Sequence, residues 1–116
     1  MYERNERLKE LYKELVSTML REIKDPGLSG FITLTDTELS VDRKTLKAYY
    51  SVLGTDAERE RTKEALGRAA PYLRELIKKK VAVKTIPNIT FVYDDTPKKA
   101  SRIDELLNKL ERDRDR

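Results

Sequence analysis

The stretch that decides the fold runs from Arg21 to Gly54 and reads REIKDPGLSGFITLTDTELSVDRKTLKAYYSVLG. It ends one amphipathic helix, turns at the DPG of residues 25–27, and continues into two segments, 30–39 and 45–53, that are rich in Thr, Tyr, Ile, Leu and Val. Such residues favour strands, and the link between the segments is short enough for an antiparallel hairpin. Apolar and polar residues alternate in the second segment, which predicts one buried and one partly exposed face.

Helical periodicity flanks this hairpin. Apolar residues recur at helical spacing from Leu8 to Ile23 and predict one long helix with a wide apolar stripe. After the hairpin, Thr55 and Glu58 have the spacing of a capping box at the start of a second helical pattern. Pro71 interrupts that pattern, and a proline inside a helix removes a backbone hydrogen bond and clashes with the carbonyl four residues earlier. We therefore predict two helices that meet at a bend near residues 69–71.

The end of the chain predicts a third strand and a last helix. Ile89, Phe91 and Tyr93 alternate with their neighbours as in a strand. Apolar residues at helical spacing over 103–110 predict a C-terminal helix that packs on the sheet of its own domain, with docking of a partner helix as the alternative. Residues 111–116 carry charges and no apolar residue, so we expect a disordered tail after a domain that spans residues 1–110.

The predicted order is α-β-β-α-kink-α-β with a C-terminal helix, in an α+β single domain. It matches the KH-like (type II) topology, in which helices cover one face of a three-stranded sheet. KH domains usually clamp four nucleotides with a GXXG loop between the two central helices. Here that joint reads GRAAPY over residues 67–72, so the sequence does not predict a standard KH clamp.

The composition narrows the classes of function. The chain has 116 residues, which suits one domain, and lacks both His and Cys. Most zinc sites, the commonest general base and a thiol nucleophile are thereby excluded, so we predict no metal, no cofactor and no enzymatic activity. An enzyme that works through carboxylates or lysine remains the alternative.

The composition also bears on the compartment and on stability. No apolar run approaches the roughly 18 residues of a membrane span, and the lack of Cys fits a reducing, cytoplasmic compartment. Lys, Glu and Arg are abundant while Gln and Trp are absent, which favours a thermophile or a sequence optimised for stability. A redesigned sequence that keeps the fold without the function is a further alternative.

Positive charge concentrates late in the chain. Residues 68–102 contain nine Lys or Arg against three Asp or Glu. If the fold is KH-like, these cations converge on one face and neutralise phosphates. A solvated helix C-terminus at residues 78–80 is the alternative. The candidate RNA-binding residues are Arg74, Lys78, Lys79, Lys80, Lys84, Lys98, Lys99 and Arg102.

Other candidate sets have simpler interpretations. A second basic set surrounds the hairpin tip, where ordinary solvation is the favoured interpretation; it consists of Lys24, Arg43, Lys44 and Lys47. Three tyrosines could stack on bases, with Tyr49 the most available and packing within the domain the favoured interpretation; they are Tyr49, Tyr72 and Tyr93. Two acidic pairs could hold Mg²⁺, although loop chemistry is the simpler account; they are Asp94-Asp95 and Asp36/Glu38.

Six short blocks follow one another along the chain: REIKDP (21–26), TDTELS (35–40), YSVLG (50–54), AAPYLR (69–74), IPNITFVYD (86–94) and ASRIDELL (100–107). In their order and spacing these blocks resemble bacterial ribosome-binding factor A. This resemblance covers roughly residues 4–110. In that family a helix-kink-helix centred on an Ala replaces the GXXG loop, which assigns the kink to Ala69, Ala70 and Pro71. The sequence departs from the family pattern at Pro71 and Ala100, where the family usually has Gly.

The resemblance implies a non-enzymatic assembly factor. Such a factor binds the free, immature small ribosomal subunit and its ribosomal RNA late in maturation, and assists 5′-end processing, notably in the cold. We expect a cytoplasmic monomer that makes no contact with membranes. Two alternatives are a generic RNA-binding module acting outside the ribosome, and a protein-interaction domain that meets an acidic partner through the basic residues 74–84.

Overall fold

The protein is represented by a computed structural model that describes residues 2–23, 25–28 and 31–96. The predicted C-terminal helix, the charged tail and the domain boundary at residue 110 lie outside these residues. Within them the chain forms two helices, one short 3₁₀ turn and three strands. Their bounds are α1 Tyr2–Glu22, the turn Pro26–Leu28, β1 Phe31–Leu39, β2 Thr45–Leu53, α2 Asp56–Lys80 and β3 Asn88–Tyr93.

The three strands form one sheet in the order β1-β2-β3. The strands β1 and β2 are antiparallel, as the hairpin predicts, whereas β3 runs parallel to β2. A parallel pair needs a long crossover, and α2 supplies it, with 25 residues and a length of about 37 Å. The start of β3 therefore lies beside the hairpin tip, where the Asn88 N–H donates to the Lys44 carbonyl at 2.9 Å.

Both helices cover the same face of the sheet, which confirms the predicted α+β, KH-like arrangement. Alternate side chains of β2 point into the core, and the buried members of that strand are Leu46, Ala48, Tyr50 and Val52. The main core joins Leu46 and Ala48 to α1, α2 and β3 through Tyr12, Val16, Met19, Ala69, Leu73, Ile77 and Ile89. A second cluster joins Tyr50 and Val52 to Leu66 of α2. The Tyr50 ring meets the rings of Phe91 and Tyr93 edge-on, with centroids 6.3 and 5.7 Å away. Because α1 and α2 share this core, both helices are fixed relative to the sheet.

The helix α2 differs from the prediction of two helices, because it continues without interruption through Pro71. Pro71 has no N–H to donate to the carbonyl of Gly67. Both residues lie on the exposed side of α2, so water can donate a hydrogen bond to the Gly67 carbonyl. The opposite side, including the buried Ala69, stays packed on the core. The predicted bend near residues 69–71 stays a prediction.

The DPG turn docks on the first half of α2. A Cβ at Gly27 would lie 2.8 Å from the Cβ of Ala65 and 3.0 Å from the carbonyl oxygen of Arg61, so the contact requires glycine. The buried Thr62 hydroxyl donates to the Glu58 carbonyl at 2.8 Å and lies 3.3 Å from the carbonyl oxygen of Gly27. Asp25 accepts a hydrogen bond from the Gly27 N–H at 2.9 Å. This turn thus fixes the end of α1 to α2.

Candidate nucleic-acid interface

Four parts of the chain meet at one end of the sheet: the first turns of α1, the hairpin tip, the C-terminus of α2, and the segment 81–87 that follows it. Three of them, namely α1, the hairpin tip and segment 81–87, form the walls of a cleft of about 240 Å³. The cleft is lined by Leu8, Tyr12, Arg43, Ala82, Val83, Lys84 and Thr85. We call this end of the molecule the basic end and define it by its cations, which are Arg4, Arg7, Arg43, Lys44, Lys78, Lys79, Lys80 and Lys84.

The lysines at the C-terminus of α2 are exposed, as is Lys84 in the following segment. The helix α2 ends at Lys80, and the N–H of the next residue, Val81, donates to the Ile77 carbonyl at 2.9 Å. Positive charge here complements the partial negative charge of the helix terminus. Among the described residues, none of these lysines forms an ion pair within 4.0 Å. Their charge is therefore uncommitted within this part of the fold.

Arg74 differs from the lysines because it is tied to the fold. Its Nη2 donates to the carbonyl of Ile86 at 3.3 Å, and its Nη1 lies 3.7 Å from a carboxylate oxygen of Glu75. Its Nε is buried and has no hydrogen-bond partner among the residues that the structure describes. Arg74 thus joins α2 to segment 81–87, a role that its place in the basic block did not predict.

Arg43 belongs to the second basic set, and the structure brings it beside the first. Its φ of 62° lies in the left-handed region, after a turn closed by its N–H on the Ser40 carbonyl at 2.9 Å. This position in a hairpin usually holds Gly or Asn, because other residues are strained there. The Nε of Arg43 donates to Oδ1 of Asn5 at 2.8 Å, which orients the side chain toward α1.

The rest of the hairpin tip stabilises this backbone. Asp42 accepts from the Ser40 hydroxyl at 2.6 Å and from the Lys44 N–H at 3.0 Å. The hydrogen bonds from Ser40 and then Lys44 lower the pKa of Asp42. Asp42 therefore stays ionised to stabilise its own turn.

Of the five remaining predicted basic residues, the structure describes one. Lys47 is exposed on the open face of the sheet, where it pairs in register with Glu38, so a carboxylate lies beside it. The other four lie outside the described residues; they are Lys24, Lys98, Lys99 and Arg102.

The tyrosines differ from the expected order of availability. Tyr49 is only half-exposed, and its hydroxyl donates to Glu38 at 3.1 Å, which raises the pKa of Tyr49. Tyr93 packs against Tyr50, and the Arg59 guanidinium carbon lies 6.0 Å from the centre of its ring. Tyr72 is 58% exposed and is the most available of the three candidates. The prediction that Tyr49 is the most available is wrong because the alternation of β2 does not reveal its cross-strand partner.

The candidate carboxylates serve the fold. Asp94 accepts hydrogen bonds from the Thr35 hydroxyl at 2.7 Å and from the Thr96 N–H at 3.0 Å. The bond from Thr35, and after it the bond from Thr96, lowers the pKa of Asp94. Asp36 lies 3.8 Å from the Lys9 ammonium. Among the described residues no group of three or more acidic side chains is placed to hold a metal ion. No helix in the described part of the chain is long and apolar enough to cross a membrane.

The end of the sheet opposite the basic end is rich in acids. Here α2 starts with a complete capping box, in which Thr55 accepts from the Glu58 N–H at 3.2 Å and the Glu58 side chain accepts from the Thr55 N–H at 3.3 Å. The Asp94 N–H donates to the Tyr50 carbonyl at 2.7 Å, which places the end of β3 nearby. We call this the acidic end and define it by Asp25, Asp56, Glu58, Glu60, Asp94 and Asp95.

Comparison with known sequences identifies relatives over nearly the whole chain. The family model described as ribosome-binding factor A matches residues 4–107. The ribosome-binding factor A of Halothermothrix orenii is 45% identical over 109 residues, which cover 93% of this chain and 88% of that one. The factor of Thermodesulfovibrio yellowstonii is 42% identical over 112 residues, which cover 96% and 93%.

Solved structures agree with the fold. The solution structure of a putative ribosome-binding factor A from Thermotoga maritima matches with a TM-score of 0.69 and 34% identity, over 77% of this chain and 85% of that one. The crystal structure of the Thermus thermophilus factor matches with a TM-score of 0.69 and 22% identity, over 77% and 93%. A homology model of that factor, fitted into a cryo-EM map of its complex with the 30S subunit, has a TM-score of 0.63 and 22% identity, over 76% and 92%.

Proposed function

This chain belongs to the ribosome-binding factor A family, and from that premise we propose that it binds the small ribosomal subunit through its basic end, with ribosomal RNA as the surface contacted. The family is named for binding rather than for a reaction. The Thermus thermophilus member has been fitted into a map of a 30S complex, which supports the same partner for this chain.

One observation carries the choice of surface: two basic sets that are distant in the sequence lie at the same end of the fold. Arg43 and Lys84 line one cleft, and Lys78–Lys80 precede Lys84 by a few residues. Within the described residues these cations form no ion pair. Clustered, unpaired cations attract the phosphate backbone and release its counterions on binding.

The mechanism that we propose is binding energy without covalent chemistry. The basic end engages phosphates of the immature subunit and favours one conformation of its RNA. An RNA segment held in this way remains accessible while the 5′ end is processed, and the effect matters most in the cold, where RNA rearranges slowly. The factor acts as a cytoplasmic monomer, without a cofactor, and leaves when the subunit matures. Its functional unit is the domain of residues 1–110, and three further predicted RNA-binding residues, Lys98, Lys99 and Arg102, complete its RNA contacts.

The experiment is co-sedimentation with purified small subunits, large subunits and whole ribosomes over a salt series. We expect salt-sensitive binding to free small subunits and weaker binding to whole ribosomes. Tight binding to short single strands without the subunit would indicate a generic RNA-binding module. Absence of binding to any RNA at physiological salt, in a folded protein, would favour an acidic protein partner.

A matched pair of variants tests the surface. Reversal of charge at Lys78 and Lys79 is expected to weaken subunit binding and to flatten its salt dependence, with little change in stability. Reversal at Arg61 and Lys63 changes the net charge equally on exposed positions nearer the start of α2, and should leave subunit binding close to wild type. Equal losses in the two variants would show that net charge, rather than the basic end, governs binding.

A further inference from the structure

The cleft at the basic end has the features of an anion site. We propose that it seats one backbone phosphate of the bound RNA, held by the Arg43 guanidinium, the Lys84 ammonium and the Tyr12 hydroxyl. The assignment of RNA as the source of the phosphate rests on the proposed function. The cleft itself stands on the geometry of α1, the hairpin tip and segment 81–87.

The Arg43 side chain is oriented so that its guanidinium can bind a phosphate. Its Nε donates to the side-chain oxygen of Asn5, which fixes the plane of the guanidinium. The four N–H donors of its two Nη atoms have no hydrogen-bond partner among the described residues. A planar fork of donors matches two phosphate oxygens. Arg43 also occupies a left-handed backbone position, where Gly would be relaxed. A strained position with a charged side chain turned into a cleft indicates that the side chain serves a purpose other than stability.

Tyr12 supplies a second, independent observation. Its side chain is 1% exposed and lines the cleft, and its hydroxyl has no hydrogen-bond partner among residues 2–23, 25–28 and 31–96. Because Tyr12 lines the cleft, a ligand oxygen seated there can accept the hydrogen of this unbonded hydroxyl. Burial raises the pKa of Tyr12, and the charge of Arg43 opposes that rise, which places the guanidinium within electrostatic range of the phenol oxygen.

The walls of the cleft favour an anion over a cation. Its lining contains two cations and no carboxylate, and its other residues are Leu8, Tyr12, Ala82, Val83 and Thr85. Apolar walls reduce the local dielectric constant and strengthen the attraction between a bound phosphate and Arg43 and Lys84. The nearby Asp42 does not compete, because its carboxylate accepts hydrogen bonds within the hairpin turn.

The direct test is an NMR titration with two probes, inorganic phosphate and dimethyl phosphate, the latter a diester like the RNA backbone. We expect saturable shifts confined to the cleft. Lys84→Ala should weaken the affinity for dimethyl phosphate about tenfold, since it removes a charge-assisted contact, and Tyr12→Phe about fivefold. Shifts that do not saturate, or that spread over all exposed lysines, would show that the cleft is not a phosphate site. Saturation by inorganic phosphate alone would overturn RNA as its source.

Arg43→Gly separates binding from folding. Glycine suits the φ of 62°, so the melting temperature should stay equal or rise while phosphate binding is lost. A loss of binding that accompanies unfolding would contradict this design, and Tyr12→Phe then decides, because it removes one oxygen from an otherwise unchanged core. Lys63→Ala, an exposed lysine away from the cleft, is the control and should leave phosphate affinity unchanged.

Co-sedimentation with small subunits then tests RNA as the source. In Arg43→Gly the slope of log affinity against log salt should be smaller by about one, as for one phosphate contact. An unchanged slope, with wild-type protein binding normally, would overturn the seat as an RNA contact and leave the proposed function intact. Wild-type protein that saturates with dimethyl phosphate but never sediments with subunits would instead overturn the proposed function.

Discussion

The acidic end and the basic end use charge in opposite ways. At the acidic end, Asp25, Glu58 and Asp94 each accept hydrogen bonds from nearby residues, and Asp56 pairs with Arg59. At the basic end, the lysines form no ion pair within the described residues. Charges that satisfy the backbone and the helix dipole stabilise the fold, whereas charges left to solvent are available to a partner. The same chain therefore has one end that stabilises it and one end suited to binding.

The comparison predicts that damage to the acidic end appears first as lost stability. Gly27→Ala is expected to lower the free energy of unfolding by about 2 kcal/mol, since its Cβ would overlap that of Ala65 and the backbone of Arg61. Urea unfolding measures this loss. Subunit binding by the folded fraction should stay close to wild type.

The matched control for that substitution is Gly54→Ala. The three atoms nearest to its Cβ would all belong to the Glu58 side chain, at 2.9 to 3.3 Å. A flexible side chain can shift more easily than backbone, although the shift would weaken its capping-box bond to the Thr55 N–H. The expected loss is below about 1 kcal/mol. If the two glycine variants lose equal stability, the close docking of the DPG turn on α2 is not what stabilises this end.

Arg74 is the exception that sharpens the comparison, because it lies at the basic end yet is tied to the fold. Arg74→Met is expected to lower the free energy of unfolding by about 1 kcal/mol through loss of the bond to Ile86. The salt slope of subunit binding should change little. The exposed Lys80→Met should show the reverse: unchanged stability and a slope smaller by about one. If Arg74→Met keeps its full stability but binds subunits with a smaller salt slope, Arg74 contacts a phosphate.

The smallest expected effect is on the pH dependence of stability. Hydrogen bonds lower the folded-state pKa of Asp25 and Asp94 from an ordinary value of 3.8. A lowered pKa adds stability that is present above that ordinary value and is lost as the pH falls through the folded value. The urea midpoint should therefore decrease below about pH 4.

Between about pH 5 and 8 the midpoint should stay flat, because the chain has no His or Cys to titrate there. The double variant Asp25→Asn/Asp94→Asn should be less stable at pH 7 and should lose less of its stability on acidification than wild type. An acid limb as steep as that of wild type would show that these two carboxylates do not carry the effect.

Local features of the fold follow directly from the sequence. The stripe from Leu8 to Ile23 is α1, the alternation in 45–53 is β2, and Thr55 with Glu58 forms the predicted capping box. Each depends on residues close together in the chain, so periodicity and capping chemistry suffice to predict it. The basic block was equally visible, because the composition changes along the chain.

Other features depended on tertiary contacts. The bond of Arg74 to Ile86 and that of Tyr49 to Glu38 join residues whose proximity only the packed fold decides. Pro71 is tolerated within α2 because its side of the helix is exposed, which the interrupted pattern does not reveal. One signal near the hairpin tip could have been found: Arg43 stands at the position of a short loop where Gly or Asn is usual.

The sequence by itself determined α1, the three strands, the start of α2, the order of these elements, the family and the presence of excess positive charge. The tertiary structure decided which charges are free and where they meet. The parallel pairing of β3 with β2 brings segment 81–87 back to the hairpin tip, so Lys84 and Arg43 line one cleft although 41 positions separate them in the sequence. Local preferences act over a few residues, whereas a site assembled from distant segments exists only once the strands have paired.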